Sequence, residues 1–340
     1  MLVPLMLIAF SACKKINVND PAINKNETAA LDITFNPCMF GNCWTQLSPF
    51  PGAFNYVEGI FTVNNKSYLA SCSNYTPDPM WMYDGTTWSI GTAMAPPIPY
   101  CSTIFTVGSK AYATLSVQVT TNKSLYAFDP TTNQWTALAN FPGQALGGGT
   151  GKAFSIGNKG YTVTYEPAAS GSGYRYALWE YDVPTNSWLL KSNLPKPAGQ
   201  DLSPEVAFSI GSKAYMYFTG TASMPQSTAL FYEFDPATNI WKVLTNFPGE
   251  KRYQTASFVL NSYGYIGTGR DIFGYPTDDF YRYKPSDNTW TQVRDYSGGL
   301  TRLTLSFSLN NKGYVIDRYN QSLPSGSNYF YIYRPSTLIN

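Results

Sequence analysis

The sequence predicts an all-β chain folded as a six-bladed β-propeller, each blade having four antiparallel strands. Three observations carry that expectation. An octet, Phe128-Asp129-Pro130-Thr131-Thr132-Asn133-Gln134-Trp135, returns at Tyr181–Trp188 and Phe234–Trp241, more loosely at Tyr283–Trp290, and in short form at Tyr83–Trp88. An aromatic strand end, a turn rich in Asp, Pro and Asn, and a Trp opening the next strand describe a β-hairpin. The tryptophans Trp44, Trp88, Trp135, Trp188, Trp241 and Trp290 are spaced by 44, 47, 53, 53 and 49 residues, the period of a four-stranded propeller blade. A second apolar strand in each unit holds Phe61, Phe105, Phe154, Phe208, Phe258 or Phe307, and seven residues later comes Tyr68, Tyr112, Tyr161, Tyr215, Tyr265 or Tyr314.

The chain begins with an apolar run, Leu2 to Ala12, too short to span a bilayer. Phe10-Ser11-Ala12-Cys13 ends it and Lys14-Lys15 follows. This resembles a bacterial lipoprotein signal with its lipobox, which implies a lipidated Cys13 and a signal over 1–13. Residues 14–37 are polar and rich in Asn, without periodicity, and read as a tether. The propeller is expected over 38–340.

Each unit then runs in one order. Strand a holds the Phe, and a short turn such as Gly157-Asn158-Lys159-Gly160 leads to strand b, which starts near the Tyr. Strand c ends at the aromatic before Asp, and strand d starts at Trp. Six residues after each Trp comes a large apolar side chain: Phe50, Met94, Phe141, Leu194, Phe247 or Tyr296. Trp44 to Ser48 is a d strand with nothing before it, and residues 301–335 supply a, b and c with no Trp after them. The N-terminal strand is therefore expected to complete the last blade, which removes two exposed sheet edges. The Gly-Lys turn before Tyr, the Asp-Pro turn and the following Trp resemble the kelch repeat of galactose-oxidase-like propellers over 42–338. Asp84-Gly85-Thr86-Thr87-Trp88 is similar to the Asp-box of sialidases but aligns with the repeat's own turn, and is read as one.

Composition bounds the chemistry. The 340 residues carry a net charge of +2, aromatics make up 16% and charged residues 13%. So weak a charge argues against nucleic acid. There is no histidine. A Ser-His-Asp triad is excluded, and so is the copper site that the galactose-oxidase resemblance would imply, since it needs two His. No metal, cofactor or catalytic residue is assigned. Carboxylate pairs among Glu58, Glu166, Asp201, Glu205, Asp271 and Asp317 stay open for glycoside chemistry.

Four cysteines remain beside Cys13. Strand alternation puts ab and cd turns on one face of the disc, and bc and da loops on the other. Cys38 and Cys43 fall on the first face, Cys72 and Cys101 on the second, so Cys38–Cys43 and Cys72–Cys101 disulfides are expected, as suits an oxidising compartment. The repeated Asp84, Asp129, Asp182 and Asp235, and Asn133, Asn186, Asn239 and Asn288, recur at one turn and read as structural. What breaks the repeat is the bc/da face. Tyr165, Glu166, Glu205, Arg252, Tyr253, Arg270, Asp271, Arg302, Asp317, Arg318 and Tyr319 gather there by topology as candidate ligand contacts. The expectation is a monomeric, lipid-anchored binding protein of the bacterial envelope, at the outer membrane, touching the membrane only through its N-terminal lipid. Its ligand is a glycan or a protein. The alternative is a cofactor-free sugar-modifying enzyme, because some bacterial kelch propellers that this chain resembles epimerise sialic acid.

Overall fold

The computed structural model describes residues 38, 41–52, 58–71, 79–93, 101–115, 125–143, 152–167, 174–195, 202–220, 229–320 and 328–336. At 58, 71, 79, 92–93, 101–102, 114–115, 174, 302–303 and 318–320 the backbone alone is described. The expected signal and tether, with Cys13, lie outside these residues, as do Cys72 and Asp201.

The described residues hold twenty-six strands in chain order. β1 (Cys43–Leu47) stands first. Blade 1 is β2 (Glu58–Val63), β3 (Lys66–Ser71), β4 (Pro79–Tyr83) and β5 (Trp88–Ala93). Blade 2 is β6 (Cys101–Val107), β7 (Lys110–Leu115), β8 (Leu125–Asp129) and β9 (Gln134–Ala137). Blade 3 is β10 (Lys152–Ile156), β11 (Lys159–Pro167), β12 (Tyr174–Asp182) and β13 (Ser187–Asn193). Blade 4 is β14 (Leu202–Ile210), β15 (Lys213–Gly220), β16 (Leu230–Asp235) and β17 (Ile240–Val243). After the short β18 (Arg252–Tyr253), blade 5 has β19 (Ala256–Leu260), β20 (Tyr263–Gly267), β22 (Phe280–Lys284) and β23 (Thr289–Gln292), with β21 (Arg270–Asp271) inserted before β22. Blade 6 is β24 (Thr301–Leu309), β25 (Lys312–Asn320) and β26 (Tyr329–Arg334), with β1 as its outer strand. Every pairing is antiparallel, and β24 lies beside β2, which closes the ring. The six blades, their strand order and the closure by the N-terminal strand are those the repeat predicts.

The Phe–Tyr spacing proves to be a cross-strand pair. Phe61 faces Tyr68, and each later Phe faces its Tyr. All six pairs stack, from 4.8 Å (Phe307–Tyr314) to 5.8 Å (Phe208–Tyr215) between centroids. Such pairs add about 0.5–1.5 kcal/mol each beyond the area they bury. Between blades the repeat makes a clasp. Asn186 Oδ1 accepts the Ala139 N–H at 3.0 Å, and Trp188 Nε1 donates to the Ala139 carbonyl at 3.3 Å. Asn288 and Trp290 hold Thr245 in the same way, as Asn42 and Trp44 hold Arg294. The Asn sits at positive φ, 49° at Asn186 and 51° at Asn288, a conformation Asn tolerates well. The large side chain six residues after Trp then plugs the next blade: Phe50 packs on Trp81 and Trp88, and Phe141 on Trp179 and Trp188.

Closure uses the same parts. Trp44 pairs with Tyr333 in register and packs on Phe280, Tyr296 and Tyr333 at 5.0–5.1 Å. Cys38 and Cys43 are joined as expected, with Cα atoms 5.4 Å apart. The inner strands surround a central channel of about 320 Å³ lined by Thr62, Thr106, Ser155, Ser209, Val259 and Ser308 among others. Inner strands have one free ladder edge. At the blade 5–6 seam, Ser306 and Ser308 satisfy it by bonding both N–H and C=O of Ser257 and Val259.

Candidate functional site

On the bc/da face, the bc loop of blade 5 and the da loops at 244–255 and 293–300 are described in full. They fold onto one another through a two-stranded ribbon, in which Arg252 pairs with Asp271 and Tyr253 with Arg270. Asp271 shapes the ribbon's tip: its Oδ1 accepts the N–H groups of Phe273 and Tyr275, both at 2.8 Å. A bridge from Thr277 to Thr301 ties the loop to blade 6.

Glu205 sits beside this ribbon because β14 is bulged there. Pro204 faces Phe218 and Val206 faces Tyr217, so Glu205 has no ladder partner. Bulges near sites re-aim a side chain in this way. Glu205 Oε2 accepts the Gln254 N–H at 3.2 Å, and Gln254 is held at φ 59°. A non-glycine residue there stores about 1–3 kcal/mol of backbone strain. The residue keeps some exposed surface, yet its carboxyl is enclosed. Burial pushes its pKa up, and Lys152, the Gln254 N–H and Arg270 only partly oppose that. The Arg270 guanidinium lies over the Tyr253 ring at 4.4 Å, a cation–π contact, and its Nε is buried with no hydrogen-bond partner among the described residues. Beyond it stand exposed apolar side chains: Phe273 (76% exposed), Tyr275 (67%) and Leu300 (44%). Enclosed carboxyl, cation and open aromatic faces thus share one side of the channel mouth.

The other expected residues divide. Arg252 is wholly buried: it chelates Asp279, donates to Thr277 and the Glu250 carbonyl, and packs over Phe247. Glu166 is buried against Thr164, Trp179 and Arg175. Asp317 is buried and accepts from Thr301. Tyr165 packs on Tyr176 at 5.1 Å. These groups brace the loops from inside. Arg302, Arg318 and Tyr319 lie on irregular stretches of β24 and β25, and their side chains fall outside the described residues. The structure brings together Glu205, Tyr253 and Arg270. It adds Gln254, Phe273 and Tyr275, which the sequence reading passed over. The legible signal for the last two was a pair of aromatics flanking Gly274 in a loop that departs from the repeat.

Chemically, the arrangement offers a carboxyl with raised proton affinity, a guanidinium and aromatic faces. Among the described residues no three Asp, Glu, Cys or His side chains gather as metal ligands. Asp84 accepts from the Thr86 and Thr87 N–H groups at 2.8 Å, a closed local turn. No protein-family profile matches the chain and no curated protein matches it. Among solved structures it is similar to one described as the structure of YjhT. Identity is 18%, the TM-score is 0.52, and the match covers 65% of this chain and 73% of that one. At that identity the likeness speaks for the propeller fold alone.

Proposed function

We propose that the protein is a kelch-type binding propeller that takes a carbohydrate at the mouth formed by Glu205, Tyr253 and Arg270. It is held in the bacterial envelope, at the outer membrane, by a lipid on Cys13. The observation that supports this most is the juxtaposition of the Glu205 carboxyl and Arg270 with the exposed rings of Phe273 and Tyr275. A carboxylate and a guanidinium bond sugar hydroxyls, and aromatic faces cover the apolar face of a pyranose. A protein ligand is the weaker reading, because among the described residues of this face Arg252, Glu166 and Asp317 are turned inward. One observation favours the enzymatic alternative: a carboxyl with raised proton affinity beside a cation is suited to proton transfer on a sugar.

A glycan array on the full chain, followed by titration of each hit, tests the proposal. Arg270→Ala and Tyr275→Ala are expected to weaken the hit at least tenfold while leaving the melting temperature in place. Retained affinity in both variants overturns the site. Glu205→Gln separates binding from turnover: an enzyme loses rate with affinity kept, whereas a binding protein shows no rate to lose.

A further inference from the structure

The ab and cd turns form the opposite face, and there the repeat reverses its charge. In blades 2 to 4 the lysine opening the second strand is matched by acids on the third. Lys110 meets Asp129 at 3.3 Å, Lys159 meets Asp182 at 3.8 Å as well as Glu180, and Lys213 meets Glu233 and Asp235. Register fixes these positions, since Lys159 faces Asp182 and Tyr161 faces Glu180. In blade 5 Tyr265 faces Arg282, and Lys284 comes two residues later at the place of Asp182. In blade 6 Gly313 faces Tyr333, so Arg334 takes the acid's place beside Lys312. Where three blades set acid against base, two set base beside base.

These four cations line one groove of about 890 Å³ running between blades 5 and 6. Its carboxylate is Asp287, which Lys284 engages at 2.7 Å. Arg282, Lys312 and Arg334 form no ion pair among the described residues. Arg282 lies over the Tyr263 ring at 4.7 Å, and its Nε is buried with no hydrogen-bond partner among the described residues. Between the cations stand neutral hydrogen-bonding groups, the amides of Asn261 and Asn310 and the hydroxyls of Thr289 and Thr291.

We infer that this groove binds an acidic oligosaccharide, with carboxylate or sulfate groups on Arg282, Lys312 and Arg334 and sugar hydroxyls on the intervening amides. The lining favours that occupant. Tyr263 has one face covered by Arg282, so no platform stacks successive bases, and the chain's net charge of +2 is weak for a nucleic acid. The cations line a concavity, which a flat lipid surface does not fill. The site lies on the face away from Glu205 and Arg270, so the two proposals stand or fall separately.

The test is titration of the full chain with tetragalacturonate and, as the neutral control, a galactose tetrasaccharide. The variant R282E/R334D restores the acids that blades 3 and 4 carry, and Lys312 then has a partner as Lys159 does. Saturable tetragalacturonate binding is expected, weakening as salt rises. It falls at least tenfold in R282E/R334D, with the β-sheet circular dichroism of the parent retained and Arg270→Ala without effect. The milder K312A keeps the result interpretable if the double variant does not fold, and a threefold or larger loss is expected from it. Equal binding of the neutral tetrasaccharide by the Arg270→Ala protein, or unchanged tetragalacturonate affinity in both groove variants, overturns the inference. So does binding to phosphatidylglycerol vesicles without any to tetragalacturonate, which would make the groove a membrane contact.

Discussion

Burial moves the Glu205 carboxyl up from its ordinary 4.5, and that has a thermodynamic sign. A carboxyl whose pKa is higher folded than unfolded favours the fold below the unfolded value, and this contribution is lost as pH rises through the folded value. Glu205→Gln keeps the acceptor for Gln254 and removes the titration. Denaturant melts should therefore show the variant gaining on the parent as pH rises from 4 to 8, with no gain at the acid end. The repeated Asn behaves differently. Asn288 Oδ1 accepts from both the Thr245 N–H and the Tyr283 hydroxyl, at 3.1 and 3.0 Å. Asn288→Ala orphans both donors and leaves a residue poorly suited to φ 51°. A loss of about 1–3 kcal/mol is expected in chemical denaturation. Its structural role was legible because it recurs with the Trp. Asn42 belongs to the same series, two residues before Trp44, but its turn lacks the Asp-Pro that marks the others. Arg252 misled for the opposite reason: an arginine in a loop looks like a contact, and nothing in its neighbours in sequence announces Asp279, 27 residues on.

Among the elements, strands were readable wherever the Phe–Tyr spacing or the octet from aromatic to Trp recurred. The ribbon of β18 and β21 was not, because two residues per strand carry no period, and its pairing depends on how the da and bc loops meet in space. The β14 bulge was equally hidden: it is a mismatch between partners, visible only once Pro204 and Val206 are placed against Phe218 and Tyr217. The closing strand tests the element logic most directly. Trp44 is 8% exposed, ringed by four aromatics, and donates to the Arg294 carbonyl. Trp44→Ala should cost about 3–5 kcal/mol, read as an early unfolding transition. Because β1 pairs with β26 without a hairpin turn to join them, whereas β13 follows β12 directly, blade 6 should lose hydrogen-exchange protection before blade 3 does.

For the whole molecule, blade number and ring closure followed from counting one motif, since a propeller repeats a single solution six times. The site is the part that does not repeat. Strand direction alone assigned candidate residues to the bc/da face, and could not say which turned inward, because that depends on partners drawn from neighbouring blades. The charge reversal in blades 5 and 6 was visible in Lys284-Pro285 and Arg334-Pro335 where blades 2 to 4 have Asp-Pro or Asp-Val-Pro. Its meaning needed the groove.

The closing strand also sets a timetable. Thr45 meets Arg334 across 289 residues of chain. A ribosome adding about 5–20 residues per second finishes that stretch in about 15–60 s. Throughout that interval β1 is made but has no partner, and Trp44 has no pocket. The Cys38–Cys43 link spans only five residues and needs none of that wait. Once the chain reaches an oxidising compartment, that link can fix the turn ahead of β1 before β26 has folded beside it, so that the strand is already shaped for its distant partner.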